Sequence, residues 1–235
     1  MTLLVFDMDG VLVDVSESYR ETIQQTVAHF TGSRVTREAI QEWKNRGGWN
    51  DDWALSTAMI RAAGVDADYD AVVKYFQTLF HGADSGQTSN IQHPTSASGL
   101  MLRERWIARA GLLERLSERF QLALFTGRLR WEAELTLRRF APGLRFEPIV
   151  GAGDVPNHKP APDGLLHICK LQPDCGLWYV GDTVDDARSA KAAGVPFIGI
   201  ASPSSERRDE LVSLLQAEGA KAVLNDINQL EAVLK

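Results

Sequence analysis

Leu3-Leu4-Val5-Phe6-Asp7-Met8-Asp9-Gly10 is the stretch on which the fold turns. Four apolar residues in a row run directly into two acids and a glycine, without the polar alternation of a strand that keeps one face in water. Such a run suits a strand buried on both faces of a parallel sheet. Comparable runs recur at residues 122–125, 146–150, 177–180, 197–200 and 222–224. Helical patterns fill the intervals, at about 102–119, 130–140, 162–171, 184–193, 205–217 and 227–234. Strands alternating with helices predict an α/β fold built on a doubly wound parallel sheet.

One long interval breaks the alternation. From Val15 to Ser98 the sequence shows helical periodicity and no buried-strand run: Tyr19, Ile23, Val27 and Phe30 recur at helical spacing, as do Tyr69, Val72, Val73, Phe76 and Phe80. A Gly-centred loop, Asn45-Arg46-Gly47-Gly48-Trp49-Asn50-Asp51, separates these helices from another at about 51–63. The polar segment 83–99 reads as a linker back to the sheet. The expected organisation is therefore a catalytic core from 1–14 and 99–235 with an inserted all-helical domain at 15–98, and 235 residues are enough for two such units.

A composition of 44% hydrophobic and 24% charged residues is that of a folded globular protein. The net charge of -6 argues against a nucleic-acid partner, which would need clustered Lys and Arg. Arginines between Arg103 and Arg119 alternate with Glu104, Glu114 and Glu118, as on a solvated helix face. No run approaches the roughly 20 apolar residues of a membrane span, and the opening lacks the pattern of a signal peptide. Cys169 and Cys175 have no metal-site spacing around them. The expectation is a cytoplasmic protein with reduced thiols, no membrane partner and an oligomeric state the sequence leaves open.

In an open α/β sheet ligands bind where strands end at their carboxyl side, so the residues following each apolar run matter most. They are Asp7-Met8-Asp9-Gly10, Thr126-Gly127-Arg128, the loop 151–158 leading to Lys159-Pro160, and Gly181-Asp182-Thr183-Val184-Asp185-Asp186. Asp7 and Asp9, two apart, project to one side of an extended chain; Asp182 and Asp186, four apart, would stack on one helix face. Two carboxylates 4 Å apart repel by about 4 kcal/mol at an effective dielectric near 20. Such a cluster calls for a cation, and hard oxygen ligands without His or Cys select Mg²⁺.

In this order the four motifs resemble those of the haloacid dehalogenase superfamily, and the insertion after the first is similar to the helical cap of the branch that includes phosphoglycolate phosphatase and β-phosphoglucomutase. The resemblance implies a Rossmann-like core and hydrolysis of a small phosphorylated metabolite. It implies Asp7 as nucleophile, Asp9 as acid and then base, Thr126 and Gly127 as phosphoryl ligands, and Lys159 as a charge partner. Asp7, Asp9 (through its backbone carbonyl) and Asp182 would hold Mg²⁺, with Asp186 in support. A phosphomutase and an idle partner-binding module are the alternatives it leaves. Asp9 separates this chain from the haloalkanoic acid dehalogenases, which lack an acid there.

Other residues carry two readings each. Arg46, Trp49 and Asn50 either contact substrate, as the corresponding loop does in similar enzymes, or pack within a helix-turn-helix. Arg128 either adds a positive contact to the phosphate or is solvated at a helix start. His158 reads as a solvated loop residue. Asp185 reads as an acid favoured at a helix start by the macrodipole alone.

Overall fold

A computed structural model describes residues 2–82 and 99–234. The expected linker falls almost wholly outside them. Six parallel strands form one sheet: β1 (Thr2–Phe6), β2 (Gln121–Leu129), β3 (Phe146–Ala152), β4 (Gly176–Gly181), β5 (Phe197–Ile200) and β6 (Ala222–Leu224), in the spatial order β3-β2-β1-β4-β5-β6. This is the doubly wound order, with its reversal between β1 and β4. Leu3, Leu4, Val5 and Phe6 are completely buried, as their unbroken apolar run requires of a central strand.

The residues of β1 alternate between two apolar layers. Leu3 and Val5 join Leu165, Ile168, Ala187, Ala190, Leu211 and Leu215, from helices α7 (Asp163–Leu171), α8 (Val184–Ala193) and α9 (Arg208–Ala217). Phe6 meets the ring of Phe146 edge-on at 6.3 Å. Helices α5 (Leu112–Ser117) and α6 (Arg130–Phe140) pack against β2 and β3. Each fully buried Leu or Phe stabilises the fold by about 1.5–3 kcal/mol relative to exposure.

The pattern read as one helix over 102–119 resolves into a 3-10 turn at Leu100–Arg103 and the short α5. Gly111 lies between them at φ 82°, a left-handed backbone that a continuous helix does not contain. The arginines there are consequently not one solvated helix face. Arg115 pairs with Glu231, and the guanidinium of Arg119 lies 5.1 Å from the Phe120 ring centre. The final pattern, 227–234, is a 3-10 turn at Ile227–Gln229 followed by a single helical turn, α10 (Leu230–Val233).

The chain divides into two compact units: Met1–Val13, Lys44–Asn50 and Trp106–Lys235 form one, and Asp14–Trp43 with Asp51–Arg105 form the other. The second unit is helical. Its α1 (Tyr19–Thr31), α3 (Asp52–Ala62) and α4 (Tyr69–His81) pack on one another through Ile23, Val27, Leu55, Ile60, Val72, Phe76 and Phe80. Asp51 caps α3 by accepting from the Trp53 and Ala54 N–H groups, and Asp68 caps α4 through Ala71. The segment Lys44–Asn50, expected within the inserted domain, clusters with the sheet unit instead, at the end of α2 (Arg37–Arg46). No described helix is long and apolar enough to cross a membrane.

Candidate active site

Phe6 pairs with Leu124 on one side and Val180 on the other, so Asp7, Phe125 and Gly181 stand level at the carboxyl rim of three adjacent strands. The Asp7 N–H donates to the Val180 carbonyl at 2.8 Å, which carries the ladder one residue past β1 and fixes the direction of its side chain. The carboxylate is buried, 4% exposed. Lys159 Nζ lies 3.0 Å from Asp7 Oδ1 and 2.8 Å from Asp186 Oδ1. The rings of Phe125 and Tyr179 lie beside the ammonium at 4.7 and 5.5 Å. Lys159 Nζ and Asp7 Oδ1 meet as charges, without the alignment of a hydrogen bond.

This geometry sets the protonation of the group. Burial pushes the Asp7 carboxyl up to about 7 against the pull of Lys159, and the neighbouring Asp186 and Asp9 add to the rise. Burial works against the Lys159 ammonium, but Asp186 and Asp7 together hold its pKa above the usual value. Burial likewise opposes the charge on Asp186, yet Lys159, Tyr179 and Thr183 hold it below the usual carboxylate range.

Asp182 and Asp186 do not stack on a helix face. Thr183 is the N-cap of α8, and Asp186 folds back in a capping box. Asp182 therefore lies before the helix, in the turn after β4. Asp186 accepts from the Tyr179 hydroxyl at 2.6 Å, the Asp182 N–H at 3.2 Å, the Thr183 N–H at 3.0 Å and the Thr183 hydroxyl at 2.7 Å. These four donors match the roughly four lone-pair directions a carboxylate offers, and the Lys159 ammonium adds its charge at 2.8 Å. Gly10 makes the approach of Asp182 feasible: its φ is 74°, and a Cβ there would sit 2.0 Å from Asp182 Oδ2.

One carboxylate oxygen from each of Asp7, Asp182 and Asp186 lies within 4.8 Å of the others. The trio can hold a metal ion, and its all-oxygen character suits a hard divalent cation. Asp7 has a buried oxygen with no aligned hydrogen-bond partner, whereas Asp186 is occupied by donors. Of the three, Asp186 is the one already held by donors from Tyr179, Asp182 and Thr183.

Thr126 is buried on β2, and its hydroxyl accepts from the Arg128 N–H at 3.2 Å. Gly127 is exposed beside it. Arg128 is neither at a helix start nor solvated, because β2 runs on to Leu129 and carries the arginine inward. Its Nε and Nη2 reach Asp9 Oδ1 at 2.8 and 2.5 Å, and Nη1 reaches the Thr136 hydroxyl at 2.9 Å. The side chain of Asp9 is therefore turned to Arg128. Nothing in the local sequence marks this pairing, since the two residues are far apart along the chain.

Asp185 is the residue sequence reasoning passed over. It is 2% exposed and accepts from the Gly48 N–H with both oxygens, at 2.7 and 2.9 Å, and from the Trp49 N–H at 3.1 Å. Burial raises its pKa, with the Gly48 and Trp49 N–H groups opposing the rise. The signal in the sequence was the Gly47-Gly48 pair. Both glycines adopt positive φ, 80° and 81°, which turns consecutive N–H groups outward as an anion-binding concavity. Asn50 lies against Gly127: a Cβ on that glycine would come within 2.5 Å of the Asn50 carboxamide nitrogen. Arg46 and His158 are exposed.

Residues 1–194 match the haloacid dehalogenase-like hydrolase family. The chain belongs to that family, and it carries a helical insertion between its first two sheet strands. It is 31% identical over 236 residues to an imidazoleglycerol-phosphate dehydratase of Phytophthora nicotianae, covering 94% of this chain but only 49% of that protein's length. It is 26% identical to a phosphoglycolate phosphatase of Pseudomonas fluorescens over 84% of this chain and 68% of the relative. A haloacid dehalogenase-like protein of Agrobacterium tumefaciens shares the fold, with a TM-score of 0.72 at 21% identity over 100% of this chain and 97% of the other.

Proposed function

We propose that this chain is a Mg²⁺-dependent phosphatase that hydrolyses a small phosphate monoester through an aspartyl phosphate on Asp7. The observation that carries the reading is the buried Asp7 carboxylate, held 3.0 Å from Lys159 at the rim it shares with Asp182 and Asp186. A structural ion pair has no use for a third crowded carboxylate; a nucleophile that must meet a phosphate dianion does.

Asp7 attacks the phosphorus in line with the leaving oxygen. Lys159 offsets charge on Asp7 and on the incoming phosphoryl, and its fixed place between two carboxylates and two rings means that it need not reorganise during the step. Thr126 and the Gly127 N–H bind the phosphoryl oxygens. Asp9 protonates the leaving oxygen and afterwards takes a proton from the water that cleaves the aspartyl phosphate. Arg128 fixes the orientation of Asp9 while those protons move. Asp7 and Asp182 would hold Mg²⁺ by carboxylate and Asp9 by its backbone carbonyl; when bound, the ion would supply positive charge that offsets the negative charge of the reacting phosphoryl.

The test is phosphate release from a panel of small esters, with Mg²⁺ and with chelator, for the wild type and Asp7→Asn. Release that needs Mg²⁺ and vanishes in the variant is expected. Release that persists in Asp7→Asn would refute the nucleophile assignment. Isomerisation of a sugar phosphate without net release would identify a mutase instead.

A further inference from the structure

The segment Lys44–Asn50 is gripped from two directions by residues of α8. Asp185 accepts the Gly48 and Trp49 N–H groups, as described above. One turn later Arg188 donates through Nη1 to the Arg46 carbonyl at 3.3 Å. Arg188 is itself held by Glu218 at 3.0 Å, and Glu218 also holds Lys191 at 2.9 Å. A Cβ on Gly47 would sit 2.0 Å from Arg188 Nη1 and 3.1 Å from Asp185 Oδ1, so a side chain there would displace the Arg188 guanidinium. Asp185 thus provides the acceptor for two successive amides and Arg188 the donor for the carbonyl before them.

What this grip controls is Asn50, whose carboxamide lies against Gly127, next to Thr126 in the proposed phosphoryl-binding turn. An Asn side chain offers two donors and one acceptor, here set beside the turn proposed to bind the phosphoryl. We infer that Asp185 is a positioning residue for substrate recognition: by clamping the Gly48 and Trp49 amides it holds the Asn50 carboxamide at the phosphoryl-bearing end of the substrate. The chemistry of a carboxamide suits a hydroxyl or carboxylate oxygen of the ester near its phosphorylated end. The inference rests on the phosphatase reading for its kinetic consequence and on the hydrogen-bond geometry alone for the clamp itself.

Two measurements keep these apart. The first is amide hydrogen exchange at Gly48 and Trp49 in the full chain, which needs no substrate. Both amides are expected to be protected in the wild type, less so in Asp185→Asn and unprotected in Asp185→Ala; equal protection in all three overturns the clamp. The second is steady-state kinetics on the best ester of the panel. Asp185→Ala is expected to raise KM roughly tenfold while lowering kcat less than about threefold. Asp185→Asn, which keeps one acceptor oxygen, should recover part of the loss. Asn50→Ala should reproduce the KM effect, and the double variant should be no worse than Asn50→Ala alone, because both changes remove the same contact. Additive losses, or an equal fall in kcat on every ester, overturn the positioning role. A wild type that protects both amides yet releases phosphate from no ester overturns the phosphatase reading and leaves the clamp standing.

Discussion

Replacing Asp7 with asparagine should make the metal-free protein harder to unfold above pH 7. In the folded chain burial lifts the Asp7 carboxyl from its ordinary 3.8 to about 7. Between those two values the native state keeps a proton that the unfolded chain has released, so stability falls as pH rises through the window. The loss is about 1.4 kcal/mol per pH unit, or about 4 kcal/mol over the three units, before any relaxation of the site. Asparagine carries no titrating proton, so the advantage of the variant should be near zero at pH 4 and reach about 2–4 kcal/mol at pH 8. In a chain of this size that is roughly 5–15 °C in Tm. The assay is thermal unfolding of both proteins in chelator from pH 4 to pH 8.5, repeated with Mg²⁺. Added Mg²⁺ should stabilise the wild type more than the variant. A difference that does not change with pH, or a variant less stable than the wild type at pH 8, would refute the reasoning.

Two further outcomes follow from contacts away from the nucleophile. Arg128→Met leaves Asp9 without its guanidinium partner and should cost about 1–3 kcal/mol, less than a fully buried pair because Asp9 is 31% exposed; Asp9→Asn added to it should cost much less than Asp9→Asn alone, which a double-mutant cycle by urea unfolding measures. Gly164→Ala drives a methyl to within 2.1 Å of the Phe125 ring and should destabilise by about 1–3 kcal/mol. A neutral Gly164→Ala, measured the same way, would mean that Phe125 moves and that the aromatic wall beside Lys159 is not fixed.

The sheet was legible because β1 and β4 are apolar without interruption, a pattern that only burial on both faces explains. The motif residues were legible because each follows such a run. What sequence could not supply were pairings across long separations. Asp9 with Arg128, and Asp185 with Gly48, are joined by the fold and not by any local pattern. The spacing of Asp182 and Asp186 misled for a related reason: a helical offset was assumed where Thr183 starts the helix between them. The charged stretch 103–119 looked continuous because charge alternation does not register a left-handed glycine at position 111.

The place of β1 in the sheet bears on how the protein comes into being. This strand is synthesised before both of its neighbours, Gln121–Leu129 and Gly176–Gly181. On the ribosome its row of unpaired amides and apolar side chains must wait for more than a hundred residues to emerge, and the Asp7 to Lys159 contact must wait longer still. Partial chains therefore expose a central strand whose edges are paired only once residue 181 has emerged and whose Leu3 and Val5 face is covered only when α9 follows.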